Sequence, residues 1–457
     1  MFRGRRHDVD MTSGPLFPQL IRFSLPLMAT SLLQLLYNAA DMVVIGQFAS
    51  AQSLAAVSST GALINLLTNL FVGFSLGANV VIAHANGAGD HKAVSRATHT
   101  SLMVALISGV FLMAVGLVAS RPLLKLMDSP DNVIDLATLY MKIFFLGMPA
   151  NLVYNFGAGI MRAMGDTKRP LYYLSVSGLV NVLLNLLLVI VFHMDVAGVA
   201  IATVTSQVLS AVFVVLHLLH TDKPIRLNLR ALKLDMKCVG QIVRIGLPAG
   251  IQGSLFSLSN VIIQSAINFK GDLWMAGNGA SSNIEGFVYV SMNSIAQGTV
   301  TLASTNRGAK QYARVRKTLW VSLLVAGVVG LGVGMIAYAF GEPLLSLYND
   351  NREVIERGMV RMGIILPTYF LCGLMDVAAS QMRGMGYSIA PMLVSLSGAC
   401  ALRLIWVYTV FAMDPRMETL YISYPISWII TFLAHMCCYL AVARRKNLAA
   451  ERALMKA

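Results

Sequence analysis

The sequence predicts an all-α polytopic membrane protein: twelve transmembrane helices in two six-helix lobes related by a pseudo-two-fold axis along the membrane normal. Three observations predict it. Of 457 residues, 56% are apolar and only 12% are charged, against about a quarter charged in an average soluble domain. Apolar stretches able to cross about 30 Å of hydrocarbon as helices recur throughout. The chain also repeats itself at an offset of 221 or 222 residues. Ile21-Arg22-Phe23-Ser24-Leu25-Pro26 returns as Val243-Arg244-Ile245-Gly246-Leu247-Pro248. Met161-Arg162-Ala163-Met164-Gly165, followed by Pro170, returns as Met382-Arg383-Gly384-Met385-Gly386, followed by Pro391, and Asn86-Gly87-Ala88 matches Arg307-Gly308-Ala309. Repeats this long are two copies of a half-molecule, not solenoid units. Many secondary transporters are built so, with substrate handled where the repeats meet.

In chain order, residues 1–16 form a cytoplasmic segment whose Arg3, Arg5 and Arg6 precede the first apolar run. That run is longer than the about 7–15 residues of a signal-peptide core, so the first span is retained. The first lobe, 17–220, holds spans 17–46, 53–84, 95–120, 134–161, 169–193 and 196–220. A cytoplasmic linker, 221–237, separates it from the second lobe, 238–443, with spans 238–268, 274–304, 317–341, 354–382, 389–413 and 418–443. Residues 444–457 are a cytoplasmic tail.

Charge placement orients these spans, because cytoplasmic loops collect Lys and Arg. One side gathers Arg3, Arg5, Arg6 and Arg22, then Lys92 and Arg96, then Arg162, Lys168 and Arg169. The linker adds Lys223, Arg226, Arg230, Lys233 and Lys237; Arg307, Lys310, Arg314, Arg316, Lys317, Arg383, Arg444, Arg445, Lys446, Arg452 and Lys456 follow. The opposite loops carry the acids Asp128, Asp131, Asp135, Asp195, Asp272, Glu342, Asp350, Glu353, Glu356, Asp414 and Glu418. Both termini are then cytoplasmic. Six spans per copy insert both copies in the same direction, which makes the repeat parallel.

The net charge of +14 does not indicate nucleic acid, because its positive residues sit in short loops between apolar spans. The five cysteines have neither metal-ligand spacing nor a disulfide framework. His84, His91 and His99 fall near one face, but Gly87-Ala88-Gly89 interrupts it, so no metal site is expected there. No His-Glu-x-x-His, Gly-x-Ser-x-Gly or phosphate-binding Gly-x-x-x-x-Gly-Lys run is present, so an ATP-driven pump or an enzyme is poorly supported.

With Leu25-Pro26, Tyr37-Asn38-Ala39-Ala40-Asp41 and the twin Met-Arg-x-Met-Gly elements, the chain resembles the multidrug and toxic compound extrusion (MATE) family of bacterial transporters. The resemblance runs from Gly14 to Ala443. It implies a secondary active exporter of organic, cationic compounds in the plasma (inner) membrane, exchanging them for H+ or Na+ by alternating access. It also implies two lobes forming a V-shaped cleft. Asp41 places the closest motif match in the DNA-damage-inducible branch, where a first-helix Asp works with Asn and Asp on the fifth helix. Here Asn181 matches, whereas Asn185 stands where many relatives carry Asp. Another branch uses acids on the seventh and tenth helices. Asp376 matches the tenth; the seventh offers only Gln252, Asn260, Gln264 and Asn268.

An ionised side chain at the bilayer centre costs about 2.5–3.5 kcal/mol on insertion scales. Asp41, Glu285, Asp376 and Arg403 are the candidates within the spans. Gln34, Asn38 and Asp41 fall at i, i+4 and i+7, a polar stripe on an apolar helix beside Tyr37. Such a stripe either couples ions or only holds helices together. The expected cation-coupling set is Asp41, Asn38, Asn181, Asn185, Glu285 and Asp376, with Asp41 also the place for a sodium ion. The alternative role for each deep acid is neutralisation of a neighbour such as Arg403. Gln34, Tyr37, Asn155, Asn260 and Gln264 are the expected substrate-cavity residues; Asn155 occupies the position of Asp376 in the first copy. Pro26 and Pro248 are hinges or static kinks, as are the less closely aligned Pro149 and Pro367. Arg162 and Arg383 anchor the inner helix ends. No cofactor is expected beyond the coupling ion, and the partners are organic cations and membrane lipid around a monomer. The competing reading is a flippase for lipid-linked saccharides or lipid precursors. Such a protein needs several deep Arg or Lys residues, and only Arg403 reads as deep.

Overall fold

The computed structural model describes residues 9–127 and 130–454. Arg3, Arg5, Arg6, Asp128 and Lys456 lie outside the described residues, as do the side chains of Arg444, Arg445, Lys446 and Arg452. The described residues form helices and no strand. In the first repeat these are α1 (Leu16–Phe48), α2 (Ala51–Gly87), α3 (His91–Leu126), α4 (Asp131–Leu146), α5 (Met148–Ala163), α6 (Lys168–Asn185) and α7 (Asp195–His220). In the second they are α8 (Met236–Asn268), α9 (Asp272–Gly308), α10 (Tyr312–Ala339), the short α11 (Gly341–Ser346), α12 (Arg352–Thr368) and α13 (Phe370–Gly384). There follow α14 (Ile389–Ser395), α15 (Leu402–Tyr408), α16 (Val410–Met413) and α17 (Met417–Leu454). π-Helical stretches, Leu186–Val191 and Leu396–Ala401, extend α6 and join α14 to α15. The last helix continues to Leu454, so the expected tail after 443 begins as helix.

Side-chain caps set the starts of α2, α3 and α12. Ser50 accepts from the Ser53 amide at 3.1 Å, Asp90 from Ala93 at 2.9 Å and Asn351 from Glu353 at 2.9 Å. Each satisfies one of the orphan donors of a first turn. The repeated Met-Arg-x-Met-Gly element is a helix stop. Gly165 and Gly386 follow α5 and α13 with φ of 87° and 81°, a left-handed conformation that glycine adopts without a Cβ penalty.

Among the described residues, eight helices are long and apolar enough to cross a membrane singly, and two bent pairs do so jointly. The more polar α8 and α9 match them in length, at 33 and 37 residues. Two expected single helices are broken. The span predicted over 134–161 bends by 48° between α4 and α5, and that over 354–382 by 46° between α12 and α13. The break residues, Gly147 and Tyr369, are 222 apart. Proline is the physical reason: Pro149 begins α5, where its missing N–H is harmless, and Pro367 removes a hydrogen bond in the last turn of α12. By contrast α1 and α8 run unbroken through Pro26 and Pro248.

The chain divides into two compact units. Among the described residues, the first comprises 9–14, Arg22–Ser254 and Ser304–Gln311; the second comprises Pro15–Ile21, Leu255–Ala303 and 312–454. The division cuts α8 after Ser254 and does not fall in the 221–237 linker. The reason is a close helix crossing inside the first unit. A Cβ on Gly73 would lie 2.5 Å from the Gly250 nitrogen and 2.6 Å from the Gly246 oxygen. These small-xxx-small pairs bring the backbones of α2 and α8 into contact, as glycine pairs do in membrane helices. The linker itself is tied to α3: the Asn228 amide donates to His99 Nε2 at 3.1 Å, while His99 Nδ1 meets the Ser95 carbonyl at 2.7 Å. In the second unit, Ile365, Met375, Tyr421 and Trp428 lie in one buried apolar cluster.

Candidate functional site

In the first unit, α1, α6 and α7 bring polar side chains together around Asp41. Asn185 Nδ2 donates to one Asp41 carboxylate oxygen, and the Thr203 hydroxyl approaches the other at 3.4 Å. Asn181 Nδ2 in turn reaches the Thr203 hydroxyl at 3.5 Å. Asn185 and Asn181 lie one turn apart on α6, immediately before the π-helical Leu186–Val191. π-Turns inside helices concentrate at functional sites. Both asparagines are buried, and the Oδ1 of each receives no hydrogen bond. Leaving a buried acceptor unsatisfied costs about 1–3 kcal/mol, so a cation or proton there meets waiting oxygens. Thr203 and Asn185 are the polar contacts of the Asp41 carboxylate, and among the described residues no basic side chain lies beside it.

The rest of the α1 stripe is arranged differently. Gln34 and Asn38 are exposed and make no hydrogen bond among the described residues, so the structure does not bring Asn38 to Asp41. Tyr37 donates its hydroxyl to the Ser175 carbonyl at 3.2 Å, and its ring packs on Gly178 of α6. Asn155 Nδ2 is engaged within its own helix, by the Asn151 carbonyl at 2.9 Å and side-chain oxygen at 3.0 Å.

In the second unit, Asp376 on α13 accepts a hydrogen bond from Tyr289 on α9 and lies within electrostatic reach of Arg383. The Tyr289 oxygen accepts from Asn293 at 3.2 Å, and Asn293 accepts from Gln297 at 2.8 Å. A polar line thus runs along α9 from Tyr289 to Gln297. Asn260 on α8 is exposed and takes no part.

Glu285 is not the lone acid that the sequence suggests. Arg361 Nε and Nη2 hold its two carboxylate oxygens at 2.7 Å each, and both side chains are buried. Arg361 Nη1 donates to Asn278 at 2.6 Å, Asn278 to Gln264 at 2.8 Å, and Gln264 to Asn268 at 2.9 Å. Gln264 is therefore a link in this network. Charge neutralisation decides the matter: a bidentate guanidinium satisfies a buried carboxylate that would otherwise need a cation. The neutralising base is Arg361, not Arg403. Arg403 instead donates Nε to Ser427 at 2.8 Å and lies 4.3 Å from the Tyr424 ring centre. With Arg361 and Arg403 both buried, Arg403 is not the single deep base.

Sequence reasoning missed Thr203 and Arg361. Thr203 opens a polar run, Thr203-Val204-Thr205-Ser206-Gln207, on an otherwise apolar helix, which is a usable signal. Arg361 follows Arg352 and Arg357 toward the centre of its span, and only its depth distinguishes it. Among the described residues no group of three His, Cys, Asp or Glu forms a metal-binding cluster.

A MatE family model matches residues 26–187 and again 248–409, so each repeat carries one copy of the pattern. The chain belongs to the MatE family. Among its relatives is the probable multidrug resistance protein YoeA of Bacillus subtilis (strain 168), 28% identical over 93% of this chain and 94% of that protein. The multidrug export protein MepA of Staphylococcus aureus (strain MSSA476) is 21% identical over 86% and 87%. A solved outward-facing multidrug resistance MATE family transporter superimposes with a TM-score of 0.90 at 20% identity, covering 96% of this chain and 99% of that one. The MatE chain is thus a multi-pass membrane protein with the helical transporter fold of that family.

Proposed function

We propose that this MatE chain is a secondary active multidrug exporter that moves organic, cationic compounds outward in exchange for H+ or Na+ by alternating access. The carrying observation is the Asp41 carboxylate, set among Asn181, Asn185 and Thr203 with orphaned amide oxygens and, among the described residues, no basic partner. Oxygen donors of this kind suit a proton or a hard cation. Holding a bare carboxylate in hydrocarbon costs about 2.5–3.5 kcal/mol, so loading and unloading Asp41 supplies a free-energy difference that cargo movement can use. Asp376, hydrogen-bonded by Tyr289, is the second coupling candidate. Glu285, neutralised by Arg361, is not one. The names of YoeA and MepA support multidrug export as the activity. The cytoplasmic termini, the inner-membrane location and the kinship with the DNA-damage-inducible branch rest on charge placement and motif.

The test is transport in vesicles of purified protein loaded with ethidium, under a proton or sodium gradient imposed separately. Gradient-driven extrusion lost in Asp41→Asn supports the reading; extrusion that persists under the same gradient overturns it. The flippase alternative gains one observation, the second deep arginine. Translocation of a labelled lipid-linked saccharide without any ethidium movement favours it instead.

A further inference from the structure

His99, near the start of α3, is 7% exposed, and both its ring nitrogens are engaged. Nδ1 meets the Ser95 carbonyl at 2.7 Å, and Nε2 meets the Asn228 amide at 3.1 Å. A carbonyl can only accept and a backbone amide can only donate, so Nδ1 carries the proton and Nε2 offers its lone pair. Only the neutral imidazole fits between these partners. A second proton would make Nε2 a donor aimed at another donor, and the Asn228 bond would be lost.

That bond holds the outer half of the linker between the repeats. Upstream, burial does the holding: Ile225 and Leu227 are 1% and 5% exposed, and the Leu227 amide donates to the Leu218 carbonyl at 2.8 Å. Past Asn228 the chain runs over the surface, with Leu229, Arg230 and Ala231 exposed. Two adjacent residues of α3 keep it there. His99 takes the Asn228 amide, while the Thr100 hydroxyl lies 3.4 Å from the Lys233 carbonyl and 3.3 Å from the Asp235 amide. The counterpart of His99, 221 residues on, is Trp320, an exposed side chain. The helical scaffold therefore does not itself require an imidazole here.

The nearby charges are arranged so that the imidazole is the group that responds. Arg96, one turn back on α3, pairs with Asp235 at 3.5 Å. Asp235 is held below the ordinary carboxylate range, first by the Cys238 amide, so it keeps its charge where histidines commonly titrate. Arg230 and Lys233 of the linker, Cys238 at the start of α8, His84 of α2 and Arg162 of α5 are the other charged or titratable groups on the elements around α3.

We propose that His99 is an acid-sensitive clasp on the linker: neutral, it holds residues 228–235 against α3; protonated, it lets them go. The join between the repeats then rests on Thr100 and Arg96. Acid on the linker side loosens that join, a control separate from the ion and cargo sites of the proposed exporter.

Hydrogen–deuterium exchange of the purified full chain in detergent tests it, read by mass spectrometry at pH 7.5 and 5.5 and corrected for intrinsic rates. Peptides covering 228–235 should lose at least tenfold in protection at the lower pH, while the α3 peptides after Thr100 keep theirs. His99→Gln, whose amide does not titrate, should show equal protection at both pH values. Thr100→Val removes the neighbouring contact and leaves the imidazole, so the pH step should persist. It also serves where the Gln variant does not stay monodisperse. Equal protection in the parent at both pH values, an unchanged step in His99→Gln, or a step lost in Thr100→Val overturns the inference. No gradient or cargo enters the measurement, so its failure leaves export intact, and absent extrusion leaves the clasp standing.

Discussion

Arg361 grips both carboxylate oxygens of Glu285 at 2.7 Å, across 76 residues of sequence and with each side chain almost wholly buried. The pair ties α9 to α12 and, through Asn278 and Gln264, to α8. Glu285→Gln should destabilise the protein by about 3–5 kcal/mol, because it strands a buried guanidinium. Glu285→Leu with Arg361→Met should recover most of that loss. Thermal unfolding in detergent followed by tryptophan fluorescence reads both. A folded Glu285→Gln protein that has lost only its ion coupling would show that the pair opens during transport.

Asp41→Asn should leave folding nearly intact, since an amide still meets the Asn185 and Thr203 side chains. It should reduce gradient-driven extrusion at least tenfold. Thr203→Val removes one hydrogen bond to Asp41 and strands the Asn181 amide, with an expected loss of about 1 kcal/mol. Comparing extrusion rate with unfolding temperature across the two variants separates coupling from packing; equal losses in both quantities would assign Asp41 to structure alone.

Gly87 and Gly308, 221 residues apart, occupy equivalent places in one symmetric crossing of α2 and α9 within the first unit. A methyl group on Gly87 would strike the Thr305 carbonyl, and one on Gly308 the His84 carbonyl; Thr305 is the repeat counterpart of His84. Gly87→Ala and Gly308→Ala should therefore cost similar amounts, about 1–3 kcal/mol each for overpacking. Unfolding temperatures that differ widely between them would deny the symmetry. Gly61→Ala and Gly240→Ala, where a Cβ meets nothing within 4 Å, are the neutral controls.

Asp414, in the loop between α16 and α17, is held down to about 2, first by hydrogen bonds from Arg416 and then by the Thr419 hydroxyl. Its folded value lies below that of the unfolded chain. The stabilisation is therefore present above the ordinary carboxylate range and is lost as pH falls toward 2. Asp414→Asn should flatten the acid limb of stability between pH 4 and about 2, without changing unfolding at pH 7 through this linkage. An acid limb identical to the parent's would show that the loop contacts carry no weight.

Apolar runs and the repeat made the twelve spans legible, because each signal is local or strictly periodic in the chain. The matched positions of Gly165 and Gly386, and the isolation of Asp41 on an apolar helix, could be read without coordinates for the same reason. Helix bends were half legible: Pro149 and Pro367 announced weakened hydrogen bonding, but not that the breaks would fall at Gly147 and Tyr369. The resemblance put Asn185 with Asp41, but tertiary structure decided the other polar partners, Thr203 and Arg361. Asp41 finds Asn185 and Thr203 across 144 and 162 residues, and Glu285 finds Arg361 and not Arg403. Helical periodicity states which face a side chain occupies; its partner depends on how separate helices cross, and those crossings are set by glycine contacts and packing that no single segment encodes.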